Sequence, residues 1–388
     1  MQTPVYLDNQ ATTPVDPRVF AAMRPLYETH FGNASSSTHR HGWYVEELVT
    51  LAREQVAELI SAKPEEIIFT SGATESNNLA LFGTCRAQLS RSPKQNTTVI
   101  SASTEHRAVL DPLAKLKSDK CEIKLLAPNK DGLIEPEVLQ AAVSPECTLV
   151  SLMLGNNEIG VINDIASLAA VCRENGSLLH CDAAQAAGKI PVDVKALGVD
   201  LLSISAHKLY GPKGIGALFV RASLPKSSIE PIMFGGGQEQ GLRSGTLNSP
   251  AIVGFGEACR LAKIELEQEG KRLQLLATRL FESLSNSLEG VQLNGAQSNR
   301  LPGSLNLSFE GVESAELLGK LSPHLSLSST SACSSGHGKG SHVLKALGLT
   351  EARQRSSIRI GIGRFNTEED ITFASEQIRS AVKELRQT

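Results

Sequence analysis

From about residue 40 to residue 260, short apolar runs rich in β-branched residues alternate with stretches of helical periodicity, and this alternation constrains the fold more than any other feature. Helical examples are 43–60, with leucines, valines and alanines at three- and four-residue spacing, and 165–175. Strands are expected at 66–70, 97–101, 148–154, 178–182, 200–205 and 216–220. Such alternation implies an α/β fold whose largely parallel sheet is covered by helices on both faces. In sheets of that kind ligands gather at the carboxyl ends of the strands.

With 388 residues the chain exceeds the size at which one hydrophobic core keeps growing, so two packed units are expected. A long helical pattern over 250–288 links them. After it the organisation changes: short strands (304–309, 357–361) mix with helices (312–321, 341–347, 367–385), and Thr367-Glu-Glu-Asp370 is a capping signal for the last helix. The expected division is a large unit, 15–258, and a small α+β unit made of 1–14 and 259–388. Residues 328–340 are almost all small and polar, the composition of a mobile loop.

Bulk numbers exclude several function classes. A formal net charge of -3 gives no general electrostatic reason to bind nucleic acid or an anionic membrane, and no run of about 18 apolar residues occurs. The first residues lack the basic and apolar regions of a signal peptide, so a cytoplasmic protein is expected. Seven cysteines, an odd and dispersed set without a CxxC pair, argue against a disulfide framework and a structural zinc site; no metal ligand is assigned. Six of them read as small buried hydrophobes. The seventh, Cys333, lies in the polar 328–340 segment.

The chemistry-bearing residues fall at strand ends. Lys208 ends the run Ser205-Ala-His-Lys208 and, with its neighbours, makes a set that fits pyridoxal 5'-phosphate: a lysine to form the imine, an acid beside the pyridine nitrogen and donors for the phosphate. Asp182, at the end of Leu-Leu-His-Cys-Asp, is the candidate partner of the ring nitrogen, with a helix N-cap as the plainer reading. Gln185 is placed to donate to the ring oxygen. In Thr70-Ser-Gly-Ala73-Thr74-Glu75 a strand, a turn of small residues and a helix aim the backbone N–H groups of Ala73 and Thr74, and the Thr74 hydroxyl, at an anion. Ser205, His207 and Thr246 are further donor candidates. His106, just past a strand, is either an ordinary hydrogen-bonded histidine or a ring against the cofactor that moves protons.

These motifs together resemble the cysteine desulfurases, within the fold-type I (aspartate aminotransferase-like) pyridoxal-phosphate enzymes. The likeness runs from Tyr6-Leu-Asp-Asn-Gln-Ala-Thr-Thr-Pro14 through Phe31-Gly-Asn33, Ser71-Gly-Ala-Thr-Glu-Ser-Asn77, Thr104-Glu-His106 and Asn156-Asn-Glu-Ile-Gly160 to Asp182-Ala-Ala-Gln185. It continues in Ala206-His-Lys-Leu-Tyr-Gly-Pro-Lys-Gly214, Arg243-Ser-Gly-Thr246, Ser331-Ala-Cys333 and Ser356-Ser-Ile-Arg359. The resemblance implies that Lys208 carries the cofactor as a Schiff base and acts as base at the substrate α-carbon, and that His106 stacks over the ring. Asn157 then lies near the ring oxygen and the substrate carboxylate, Arg359 clamps that carboxylate, and Thr246 reaches the phosphate of the other subunit of a homodimer.

Cys333 is the second reactive group. His337 and Lys339 are basic neighbours that favour its thiolate, and a structural cysteine has no reason to sit in so polar a segment. Its attack on the sulfur of cofactor-bound L-cysteine yields alanine and a persulfide, which an iron–sulfur scaffold or another sulfur-acceptor protein would take and where a nascent cluster would be contacted. Ser-Ser-Thr-Ser-Ala-Cys resembles the long-cysteine-loop class. The loop after Cys333 differs from its relatives, and the sequence ends at Thr388 without the extension by which some members grip their scaffold. Selenocysteine lyase, or another pyridoxal-phosphate C–S lyase, is the alternative reading.

Overall fold

Where the sequence runs are apolar at nearly every position they form strands covered on both faces, as Ile67–Thr70 and Thr97–Ala102 show by being buried throughout. The computed structural model describes residues 4–92, 97–118, 121–329 and 340–387. In chain order its strands are β1 (Val5–Tyr6), β2 (Ile67–Thr70), β3 (Thr97–Ala102), β4 (Cys121–Leu126), β5 (Cys147–Met153), β6 (Leu178–Asp182), β7 (Leu201–Ser205), β8 (Gly216–Val220), β9 (Val291–Leu293), β10 (Ser304–Phe309), β11 (Leu325–Ser326), β12 (Ser328–Ser329) and β13 (Ser357–Gly361).

Seven of them make the main sheet, in the order β2-β8-β7-β6-β5-β3-β4. The strands from β7 to β4 in that order are parallel. β8 is antiparallel to both its neighbours, a departure from the parallel arrangement with a simple cause. The connection from β7 to β8 covers only residues 206–215, too few for a crossover helix, so the chain turns back on itself. Because β2 is antiparallel to β8, it runs in the same direction as β7. Its carboxyl end at Thr70 therefore reaches the same edge as Ala102, Met153, Asp182 and Ser205.

The helix Ser249–Ser287 ties two cores together. Asn248 caps it, its Oδ1 accepting from the Ala251 N–H, and at 1.5 Å per residue its 39 residues span about 58 Å. Ala251, Ile252, Phe255 and Cys259 belong to the core around the main sheet. Leu273, Leu276, Leu280 and Leu284, at helical spacing, belong to a second core with Leu305, Leu307, Ile358 and Ile360. That second core lies against the antiparallel sheet β12-β13-β10-β9. The helix Glu368–Leu385 closes it, opened by a capping box in which Thr367 and Asp370 exchange hydrogen bonds.

The beginning of the chain returns to this second region. β1 pairs in parallel with β11, and Asp8 bridges to Gly361. Cys85, Cys121, Cys147, Cys172, Cys181 and Cys259 are free and buried. Among the described residues no helix is long and apolar enough to cross a membrane.

Candidate active site

The strand ends gathered at one edge of the main sheet open into a cleft of about 1310 Å³. Lys208 lies in the short helical turn after β7. Its Nζ donates to the carbonyls of Gln10 and Ala11 at 2.5 and 2.7 Å, so the ammonium is held by the N-terminal segment at the mouth of the sheet.

At one end of the cleft the helix Ala73–Arg91 begins. Its cap is Gly72, with φ at +144°, a backbone conformation that side-chain-bearing residues rarely adopt. The opposing Gly216 leaves the room that lets this turn approach: a Cβ there would stand 2.5 Å from the Ile204 carbonyl and 2.7 Å from the Gly72 Cα. Gly72 offers no side chain to cap the helix, so its first N–H groups are left for a ligand. Ala73 and Thr74 line the cleft there, together with Ser205 and His207. His207 Nδ1 lies 3.1 Å from the Thr12 hydroxyl, and burial, aided by the charges of Lys208, Lys213 and Lys189, lowers its pKa to about 4.

Asp182 ends β6 and is buried. Asn77 Nδ2 donates to its Oδ2 at 2.7 Å and the Ala184 N–H to its Oδ1 at 2.9 Å, so the carboxylate is oriented by two donors while it still lines the cleft. No helix begins directly after Asp182, so it is not a helix N-cap; the Ala184 contact closes a turn. Two residues earlier on the same face, His180 sits between the hydroxyls of Ser151 and Ser203 at 2.8 and 2.9 Å. Burial lowers the His180 pKa to about 4, so it brings no competing charge to Asp182 at neutral pH.

His106 caps the helix Arg107–Ser118, and the Ala108 N–H donates to its Nδ1 at 3.1 Å. A neutral ring therefore carries its proton on Nε2. Burial, with the positive charges of Lys208 and His342, lowers its pKa against the opposing pull of Asp182. Behind it Glu105 is fully buried, and burial raises its carboxyl pKa well above the usual range.

The far wall comes from β13. Arg359 is 3 % exposed, donating from Nη2 to Asp8 Oδ1 at 2.9 Å and from Nη1 to the Asn157 carbonyl at 3.1 Å. Its Nε has no partner among the described residues. Asn157, Gln185 and Arg359 all line the cleft with Lys208 and Asp182. Thr246 does not: it is exposed, beyond a Gly-rich segment that Glu239 anchors through Arg53 at 2.6 Å and the Phe69 N–H at 2.7 Å. Cys333 lies outside the described residues, with His337 and Lys339. On either side of them, Ser328 donates to Asp8 at 2.7 Å and Ser341 to Glu158 at 2.5 Å, while Gly340 and His342 line the cleft.

This donor set fits pyridoxal phosphate. The uncapped helix end suits a phosphate, the oriented carboxylate suits a protonated ring nitrogen, the lysine suits the aldehyde carbon, and the buried arginine suits an amino acid's carboxylate. Sequence reasoning passed over four residues that hold this set together: Gln10 and Ala11, which hold Lys208, Asn77, which orients Asp182, and Glu158, which ties down Ser341. Gln10, Ala11, Asn77 and Glu158 all lie inside recognised motifs, but only the folded backbone shows what their polar groups face.

Residues 5–373 match the model of the family described as aminotransferase class-V. The chain belongs to that family. Among curated relatives it is 50% identical over 384 residues to "Cysteine desulfurase, mitochondrial" of Arthroderma benhamiae, covering 99% of this chain and 75% of that protein. It is 48% identical over 388 residues to "Cysteine desulfurase IscS" of Photobacterium profundum, covering 100% and 94%. Among solved structures, a "NIFS-LIKE PROTEIN" superposes with a TM-score of 0.90 at 34% identity, covering 98% of this chain and all of that one. "SspA in complex with cysteine" gives 0.82 at 34% identity over 94% of this chain and all of that one. The fold is therefore that of the fold-type I pyridoxal-phosphate enzymes, a mostly parallel sheet flanked by helices with an antiparallel region beside it.

Proposed function

We infer that the chain is a pyridoxal-phosphate-dependent L-cysteine desulfurase, and the observation that carries this is the convergence of Lys208, Asp182, His106 and Arg359 on one cleft. When bound, pyridoxal phosphate supplies the electron sink that takes up negative charge developing on the substrate. Ala73, Thr74, Ser205 and His207 would hold its phosphate, Asp182 would keep the proton on its ring nitrogen, and Gln185 would donate to its ring oxygen. His106 would lie against the ring and could move a proton through Nε2. Lys208 would hold the cofactor through its aldehyde carbon and is placed to move the proton at the substrate Cα. Arg359 and Asn157 orient the substrate carboxylate, which fixes the substrate sulfur relative to the rest of the cleft.

Cys333 completes the reaction in this proposal. Its thiolate attacks the substrate sulfur, the substrate C–S bond breaks, and the carbon is protonated, leaving L-alanine and a Cys333 persulfide. The persulfide then passes to an iron–sulfur scaffold or another acceptor protein. Homodimerisation belongs to the same proposal: Thr246 is exposed on one chain and would serve the phosphate of the second, and Phe31 and Phe234, 72% and 78% exposed, need a cover. The division into a large unit, 15–258, and a small unit of 1–14 and 259–388 is proposed on the two cores. A cytoplasmic location suits six free buried thiols, although one relative is named mitochondrial.

Incubation with L-cysteine followed by mass measurement of the Cys333 peptide and an alanine assay tests the reading. A gain of one sulfur on that peptide, matched by alanine, is expected, and Cys333→Ala should abolish both. Wild-type alanine production by Cys333→Ala would refute the assignment.

A further inference from the structure

A second lysine stands behind Gln185. Lys189 Nζ donates to Gln185 Oε1 at 2.9 Å, and Gln185 Nε2 donates to the Gln10 carbonyl at 2.8 Å, the same carbonyl that accepts from Lys208. A side-chain amide can present either end, and its two ends are nearly equal in shape. The Lys189 amino group donates on one side and the Gln10 carbonyl can only accept on the other, and together they settle which end of Gln185 turns inward. The oxygen faces Lys189, and the NH₂ group, with one hydrogen on Gln10 and one left over, faces the cleft that Gln185 lines.

The backbone holds Lys189 in place for this. Gly188, with φ at +76°, packs so closely that a Cβ would lie 3.1 Å from the Leu209 Cβ and 3.2 Å from Ala262 on the helix Ser249–Ser287. Ala187 and Ile190 bridge across the same turn. Lys189 is partly buried and makes no ion pair among the described residues. The charged groups that act on it are Lys208 and Arg359, both repulsive, and Glu269. Burial and the two repulsive charges bring its pKa down to about 7. A lysine placed here, with an amide oxygen as its hydrogen-bond partner, is explained by what it does to that amide.

We propose that Lys189 is a positioning residue of this active site, which locks the Gln185 amide so that its N–H, and not its oxygen, is offered to the ring oxygen of the cofactor. The inference rests on the reading of the cleft as a pyridoxal-phosphate site.

A double-mutant cycle on Lys189→Met and Gln185→Ala tests it, with three readouts: the dissociation constant of pyridoxal phosphate from the apoenzyme, the pH midpoint of the visible absorption band of the bound cofactor, and the thermal midpoint. Lys189→Met should weaken cofactor binding about tenfold, the worth of one charge-assisted hydrogen bond, and move the band's midpoint. In the Gln185→Ala background the same substitution should change binding less than twofold. Lys189→Arg, which also only donates, should stay within threefold of wild type. Lys189→Gln, which can donate or accept, should lose at least threefold, and it is the variant to read if Lys189→Met does not fold. Unchanged affinity in Lys189→Met, or a tenfold loss that persists without Gln185, would overturn the proposal while leaving the cleft's assignment intact. A wild-type protein that binds no pyridoxal phosphate would overturn both.

Discussion

Glu158 should make the protein less stable as pH rises, and replacing it with glutamine should remove that dependence. Its side chain is 2 % exposed, and burial raises its pKa to about 7 from an ordinary value of 4.5, against the pull of the Ser341 hydroxyl and the charges of Arg359 and Arg107. Below about pH 4.5 the group is protonated folded and unfolded alike, and its contribution is fully present. Between about 4.5 and 7 the folded state keeps a proton that the unfolded chain releases, so stability is lost as pH rises through that window. At 1.36 kcal/mol per pKa unit the whole effect is about 3 kcal/mol, of which about 2.5 kcal/mol falls between pH 5 and 8. Glutamine has the shape of the neutral acid and can still accept from Ser341. Urea unfolding of the wild type and Glu158→Gln at pH 5 and pH 8 isolates the term, because other titrating groups cancel in the difference. The glutamine variant should gain on the wild type by about 2.5 kcal/mol from the lower pH to the higher. A difference that stays constant to within about 0.5 kcal/mol would mean that Glu158 is ionised in the folded protein and that the reasoning is wrong.

Two further substitutions probe other parts of the molecule. Arg359→Lys keeps the charge but loses the planar fork, and should raise KM for L-cysteine about 10- to 100-fold with a smaller change in kcat; an unchanged KM would remove Arg359 from substrate binding. Phe255→Ala empties a fully buried site whose ring meets Phe69 edge-on at 6.4 Å between centroids, and should cost about 3–5 kcal/mol in urea unfolding. A loss below about 1 kcal/mol would mean that the core around that helix collapses to fill the space.

Much of the architecture is legible from residue order because strong local signals agreed with the tertiary outcome. Strands expected at 178–182, 216–220, 304–309 and 357–361 occur at those positions, and the expected 250–288 helix spans Ser249–Ser287. Thr367 and Asp370 form the capping box their spacing implies. What escaped was set by contacts rather than by pattern. β4 is an edge strand, Cys-Glu-Ile-Lys-Leu-Leu, with one side open to solvent and no clean alternation. The two-residue strands β1, β11 and β12 exist only through their partners. The reversed direction of β8 depended on loop length, not on the apolar run itself. At the site, reactive side chains were legible because few residue types can do that chemistry. The Gln10 and Ala11 carbonyls were not, because every residue carries one.

The pairing of β1 with β11 sets an order of events during synthesis. Residues 5–8 leave the ribosome long before their partners, β11 and Gly361. The sheet that carries Asp182 and Lys208 can assemble as soon as β8 has emerged, since its strands all lie between residues 67 and 220. The carbonyls of Gln10 and Ala11 and the carboxylate of Asp8 reach their final positions only when β13 is complete. A nascent chain therefore carries an unfinished pocket until β13 has emerged, and firm cofactor capture must wait for that strand.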